Sequence, residues 1–236
     1  MTSRSSRRWR SACWAPELLP DFRKRLAEGP EARGVAKVLQ VLALWGPVAA
    51  PAAPELAGLL DTGHARPAAE ALGRIGPAAA AAADVLAGLA RGDQSPWRFG
   101  PGTERSPKPW QGAQTAAWAH WRVTGDPELA LRVTGAAVRA GPGRPVLRYL
   151  ADLGPLAAPY ADAVRPLLDC PGEWSRVGAA GAWWRITGDA APAVATLLPE
   201  LRPLGDHLVP RWSCRPCGPW ERSAVPRRPP CPYSAR

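Results

Sequence analysis

Three tyrosines, two phenylalanines and one methionine are all that this chain of 236 residues contains of those types. No segment keeps the apolar–polar alternation of a half-buried strand, which excludes a β-rich fold. There is no Gly-rich phosphate loop, no G-x-S-x-G elbow and no H-E-x-x-H, so the common nucleotide, hydrolase and zinc-protease signatures are missing. No apolar run approaches the ~18–20 residues of a membrane span, so no membrane association is expected. The five cysteines are odd in number and unevenly placed. Arg7-Arg8 leads into charged residues from Glu17 rather than into an apolar export segment. Together these favour a reducing, cytoplasmic setting without a disulfide framework.

What is abundant is Ala, Leu and Pro. Ala and Leu are strong helix formers, and 29 prolines suit many short helices with Pro at their starts rather than a few long ones. The organising stretch is Trp183-Trp184-Arg185-Ile186-Thr187-Gly188-Asp189, with a near copy at Trp121-Arg122-Val123-Thr124-Gly125-Asp126. In each, a glycine closes one helix in the left-handed conformation and an aspartate caps the next. Pro127 then stands where a missing N–H costs nothing. Three further corners use Gly-Pro: Trp45-Gly46-Pro47, Ile75-Gly76-Pro77 and Leu153-Gly154-Pro155. The corner glycines are 30, 49, 29 and 34 residues apart. A period near 30–35 with helical apolar spacing predicts a helical solenoid.

Around these corners the apolar spacing predicts helices over 17–28, 31–45, 51–60, 65–75, 78–89, 112–124, 127–140, 145–153, 156–169, 174–187 and 190–201. Pro54, Pro159, Pro166, Pro192 and Pro199 would bend the second helices of their pairs. The repeat domain is expected to span 17–206. Residues 92–110 account for the long gap and read as an insertion loop carrying Trp97, Phe99 and Trp110, either a recognition surface or rings folded back on the body. Trp118, Trp121, Trp183 and Trp184 are expected as core between layers.

The net charge of +10 lies at the ends. Residues 1–16 contribute +4 and residues 207–236 contribute +5, leaving 20 basic against 19 acidic residues between them. Both ends read as disordered tails, the second as disordered or as the out-of-frame end of a longer repeat array. Nucleic-acid binding would therefore run through the tails alone. Cys214-x-x-Cys217 is the single metal-like spacing, and with only His207 and Cys231 near it no metal site is expected. His64, His120 and His207 stand apart from any partner acid or nucleophile, so no catalytic residue and no cofactor is expected. Arg122 and Arg185 hold the same place in two repeats. They could line a shared partner-binding face; the plainer reading is that each complements a helix C-terminus and meets Asp126 or Asp189 four residues on.

The segments Ala68-Ala69-Glu70-Ala71-Leu72-Gly73-Arg74-Ile75-Gly76 and Ala179 to Asp189 resemble HEAT repeats, in particular the short bacterial repeats named after phycobilisome lyases. The resemblance covers about 30–205. It implies an all-α, right-handed α–α superhelix of about five helix pairs that binds proteins. Some members of that family are bilin lyases or DNA glycosylases, but no residue set here carries either chemistry. The function expected is a non-enzymatic, monomeric scaffold for protein–protein interaction, with a HEAT-like enzyme or a tail-mediated nucleic-acid binder as alternatives.

Overall fold

The computed structural model describes residues 14–92, 111–140 and 144–201, and among these every regular element is helical. Helix α1 (Ala15–Ala27) comes first. The first pair is α2 (Val35–Trp45) followed by a 3-10 segment, Gly46–Ala52, that runs into α3 (Ala53–Ala57). The second is α4 (Ala65–Ile75) with a 3-10 segment, Pro77–Ala82, and α5 (Ala83–Arg91). The third is α6 (Gln111–Thr124) and α7 (Glu128–Ala140). The fourth opens with α8 (Arg144–Leu153) and continues through 3-10 Gly154–Tyr160, α9 (Ala161–Val164) and 3-10 Arg165–Asp169. The fifth is α10 (Glu173–Thr187) and α11 (Ala190–Glu200).

All five corners fall where the glycines predict, each at positive φ. The second members of three pairs differ from expectation. The stretches read as helices over 51–60, 78–89 and 156–169 are composites of 3-10 and α-helix. Proline explains part of this, since Pro51 and Pro159 withdraw N–H groups inside the 3-10 turns. The alanine run has no interior proline, and there packing decides. A 3-10 helix eclipses residues three apart. Ala49 and Ala52 point into the core as such a pair, both fully buried. In the alanine run the backbone breaks at Ala79 (φ −99°, ψ 21°), and Ala79 at that kink and Ala82 after it are each 2% exposed. Helix α2 also starts later than expected, because Gly34 is left-handed at φ 86°.

One expectation from hydropathy is corrected. Val35–Ala57 is long and apolar enough to cross a membrane by length and composition alone. The stretch was missed as an apolar run because its small residues and prolines hide it. In the fold it is not one rod: it turns at Gly46 and buries Leu39, Leu42 and Leu56 completely.

Each pair packs on the pair before it and the pair after it. Helix α2 lies against α4, α4 against α6, α6 against α8 and α8 against α10. The second members follow the same order, and α1 covers the start by packing on α2, the 46–52 segment and α3. A single apolar cluster runs through all of them. Full burial of a leucine stabilises by about 1.5–3 kcal/mol, and Leu39, Leu42, Leu72, Leu147 and Leu150 are the large contributors. The many alanines add little area; they let neighbouring helices approach.

Close approach is carried furthest at two glycines. A Cβ built on Gly73 would run into the Trp118 ring and lie 2.9 Å from Ala119 Cα. One built on Gly135 would overlap the Tyr160 ring. Both glycines sit inside helices, α4 and α7, where local propensity alone would disfavour them.

Candidate functional site

The first helices of the pairs end in register. Leu44, Arg74, Arg122, Asp152 and Arg185 each precede the apolar residue at the corner, namely Trp45, Ile75, Val123, Leu153 and Ile186. Three corner glycines abut the next pair at this position. The Cβ position of Gly46 lies 3.2 Å from the Arg74 carbonyl oxygen, that of Gly76 lies 3.6 Å from the Arg122 oxygen, and that of Gly154 lies 3.5 Å from the Arg185 oxygen. The two arginines singled out from sequence therefore occupy one edge, separated by Asp152 of the fourth pair.

Their partners are not the ones expected. Arg185 Nη1 stands 3.7 Å from Asp152 Oδ1, a carboxylate of the preceding pair. Arg122 lies over its neighbour Trp121, 5.7 Å from the ring centroid. Asp126 and Asp189 are engaged elsewhere: their Oδ1 atoms accept from Glu128 N and Ala191 N, each at 3.0 Å, capping the next helix. A cap fixes the carboxylate on the far side of the corner, so Arg185 turns to the preceding pair and Arg122 to the ring beside it. Trp97, Phe99 and Trp110, the remaining candidates, lie outside the described residues, as do residues 1–13 and 207–236 with Cys214, Cys217, His207 and Cys231. The end of the expected first tail is instead helical, since Ala15 and Pro16 open α1 and Ala15 is buried.

The sequence reading missed a second cluster on the same side of the stack. Glu70 of α4 accepts from Arg148 Nη2 of α8 at 2.8 Å and stands 3.7 Å from Arg74 Nη2. The Arg74 guanidinium lies 5.1 Å from the centroid of Trp118, which in turn packs against Tyr149 at 5.4 Å. The Tyr149 hydroxyl accepts from Arg148 Nη2 at 3.1 Å and is 2.7 Å from Thr115 Oγ1. Thr115 and Tyr149 are fully buried. Burial pulls the Arg148 guanidinium down, but the Tyr149 hydroxyl and the Glu70 carboxylate outweigh it and hold its pKa above the ordinary arginine value. The signal that could have found this cluster is register. Glu70 and Arg148 each stand four residues before a corner-edge residue, Arg74 and Asp152.

This arrangement links three consecutive pairs with charge outside and aromatic rings beneath. It offers planar cations and a carboxylate to a partner, and it brings no nucleophile to a base. Exposed ion pairs of this kind are worth about 0.2–1 kcal/mol each, so they decide orientation more than affinity. Among the described residues no group of three His, Cys, Asp or Glu side chains is placed to hold a metal. The His64 ring donates its Nε2–H to the Pro30 carbonyl oxygen at 3.0 Å. An open groove of about 370 Å³ runs between α1 and α2, lined by Asp21, Phe22, Lys24, Arg25, Glu28 and Val38 among others. Its charges are of both signs and balance.

No family model matches the chain, and neither a curated protein nor a solved structure matches it.

Proposed function

We propose that the chain is a HEAT-like α-solenoid, a right-handed superhelix of helix pairs, that serves as a non-catalytic scaffold for binding another protein. The observation that carries this reading is that successive pairs pack on one another in chain order, with the corner glycines Gly46, Gly76 and Gly154 each set against a carbonyl of the next pair. Stacked units of that kind build an extended surface from small identical steps. The edge formed by Arg74, Arg122, Asp152 and Arg185, together with Glu70 and Arg148, is the surface offered to the partner. Arginine over an aromatic ring is a frequent anchor of protein interfaces.

The test compares the full chain with an Arg122→Glu, Arg185→Glu variant as baits, analysing eluates for protein and nucleic acid. Retention of one defined polypeptide by the wild type, lost in the variant at unchanged helicity, is the expected result. Equal retention by both baits would remove the arginine edge from the reading. Retention of nucleic acid alone, washed off by salt, would replace the scaffold with a tail-mediated binder.

A further inference from the structure

The fifth pair carries apolar side chains at positions that every earlier pair keeps covered. Trp184 stands two residues before Ile186. The same position in the other pairs holds Ala43, Gly73, Trp121 and Ala151, all buried or half-buried, and Gly73 there receives Trp118 of the following pair. Trp184 is 54% exposed. The second register agrees. Leu198 stands ten residues after its corner glycine, as Leu56, Leu86, Gly135 and Val164 do after theirs. Those four are buried, and Gly135 faces Tyr160 of the following pair. Leu198 is 58% exposed; Val194 on α11 and Leu201, which ends it, are 51% and 55% exposed. Two independent counts thus mark one surface, the side on which a sixth pair would stack.

We propose that residues 202–212 of the same chain cover this surface, turning at Gly205-Asp206 and laying Leu208, Val209 and Trp212 on Trp184 and Leu198. Three observations select this occupant. Leu201 is itself part of the face, so the segment begins on it. Gly205-Asp206 repeats the Gly-Asp pair that turns the chain at Gly125-Asp126 and Gly188-Asp189. The reach is sufficient: seven residues from Leu201 to Leu208 span up to about 23 Å, against about 8–10 Å between packed helix axes. A tethered segment also acts at an effective concentration of about millimolar, above that of a second copy in dilute solution. The inference stands apart from the scaffold reading, since it concerns the end of the stack and not its arginine edge.

The test uses the full chain with p-benzoylphenylalanine installed at position 184 and, separately, at position 198. Both positions are exposed, so the fold tolerates the probe, and far-UV circular dichroism checks that it does. After irradiation, mass spectrometry is expected to find cross-links into peptides within 202–212 in the monomeric fraction. Adding Leu208→Asp with Val209→Asp is expected to lower their yield several-fold at unchanged helicity. Cross-links joining two chains would assign the face to a second copy and overturn the proposal. So would cross-links elsewhere in the chain, none at all, or a yield indifferent to the aspartates.

Discussion

Replacing Gly73 by alanine opposes two effects of known sign. Gly73 lies inside α4, and glycine in a helix interior costs roughly 0.5–1 kcal/mol relative to alanine. On propensity alone, Gly73→Ala would stabilise. The packing says otherwise. The new methyl would meet the Trp118 ring and come within 2.9 Å of Ala119 Cα, well inside ordinary contact. Trp118 cannot step aside: it is 1% exposed, with Arg74 over its ring and Tyr149 beside it. Ala119 Cα is backbone and moves only with α6. Forcing an extra methyl into such a site costs about 1–3 kcal/mol, more than propensity returns. The expected net loss is about 1–2 kcal/mol. Gly88 and Gly181 are the controls, both inside helices with nothing within 4 Å of a built Cβ. There alanine should stabilise by about 0.5–1 kcal/mol. Urea titrations followed by helicity read all three, with an unchanged slope showing that the midpoint reports stability. If Gly73→Ala stabilises as the controls do, the close contact of α4 with α6 is wrong, and with it the account of why that helix holds a glycine.

Other outcomes follow from the corners and the buried hydroxyls. Thr187 Oγ1 donates to the Trp183 carbonyl at 2.8 Å and accepts from Asp189 N at 3.1 Å, so Thr187→Val should cost about 0.5–1.5 kcal/mol in the same titration. Asp189→Ala removes the cap on Ala191 N and should cost about 1 kcal/mol. Tyr149→Phe deletes the hydroxyl shared with Thr115 and Arg148 and should cost about 1 kcal/mol or more, because the site is buried. A double-mutant cycle on Arg185 and Asp152 should return about 0.2–1 kcal/mol of coupling. The cycle on Arg185 and Asp189 should return none, and the reverse ranking would restore the intrahelical pairing expected from spacing.

Corner positions and most first-helix bounds were legible because their chemistry is local. Glycine at positive φ, an aspartate cap and an apolar stripe act within one turn of the chain. What escaped was set by neighbours far along the sequence. The partner of Arg185 lies in another pair, 33 residues away, and spacing within one helix cannot point to it. Gly73 and Gly135 look like weaknesses until the rings of Trp118 and Tyr160 are placed against them. The tryptophan pairs were half legible. Trp118 and Trp183 are buried as expected, whereas Trp121 is half-buried and Trp184 lies open. Thr124 and Thr187 were passed over, although each bridges the last turn of one helix to the aspartate that starts the next.

The two kinds of corner share a frame but not a mechanism, and the residue after the glycine decides which is used. Proline disfavours helical backbone in the residue before it. Gly76 accordingly sits at φ 80° and ψ −143°, and Gly46 at φ 59° and ψ −126°, the mirror image of extended chain that only glycine enters readily. Gly188, followed by Asp189, is free to close its helix at φ 76° and ψ −10°, the ordinary left-handed cap. The contacts divide in the same way. At the Gly-Pro corners a Cβ built on Gly46, Gly76 or Gly154 would lie 3.2–3.6 Å from a carbonyl of the next pair, whereas one built on Gly125 would meet nothing within 4 Å. A Gly-Asp corner instead closes on itself through threonine and aspartate side chains. The Gly-Pro corners therefore sit close against the next pair, while the Gly-Asp corner at Gly125 is held by the two helices it joins. Gly188→Asn should accordingly be tolerated within about 1 kcal/mol, since asparagine enters the left-handed region, while Gly76→Asn should cost clearly more.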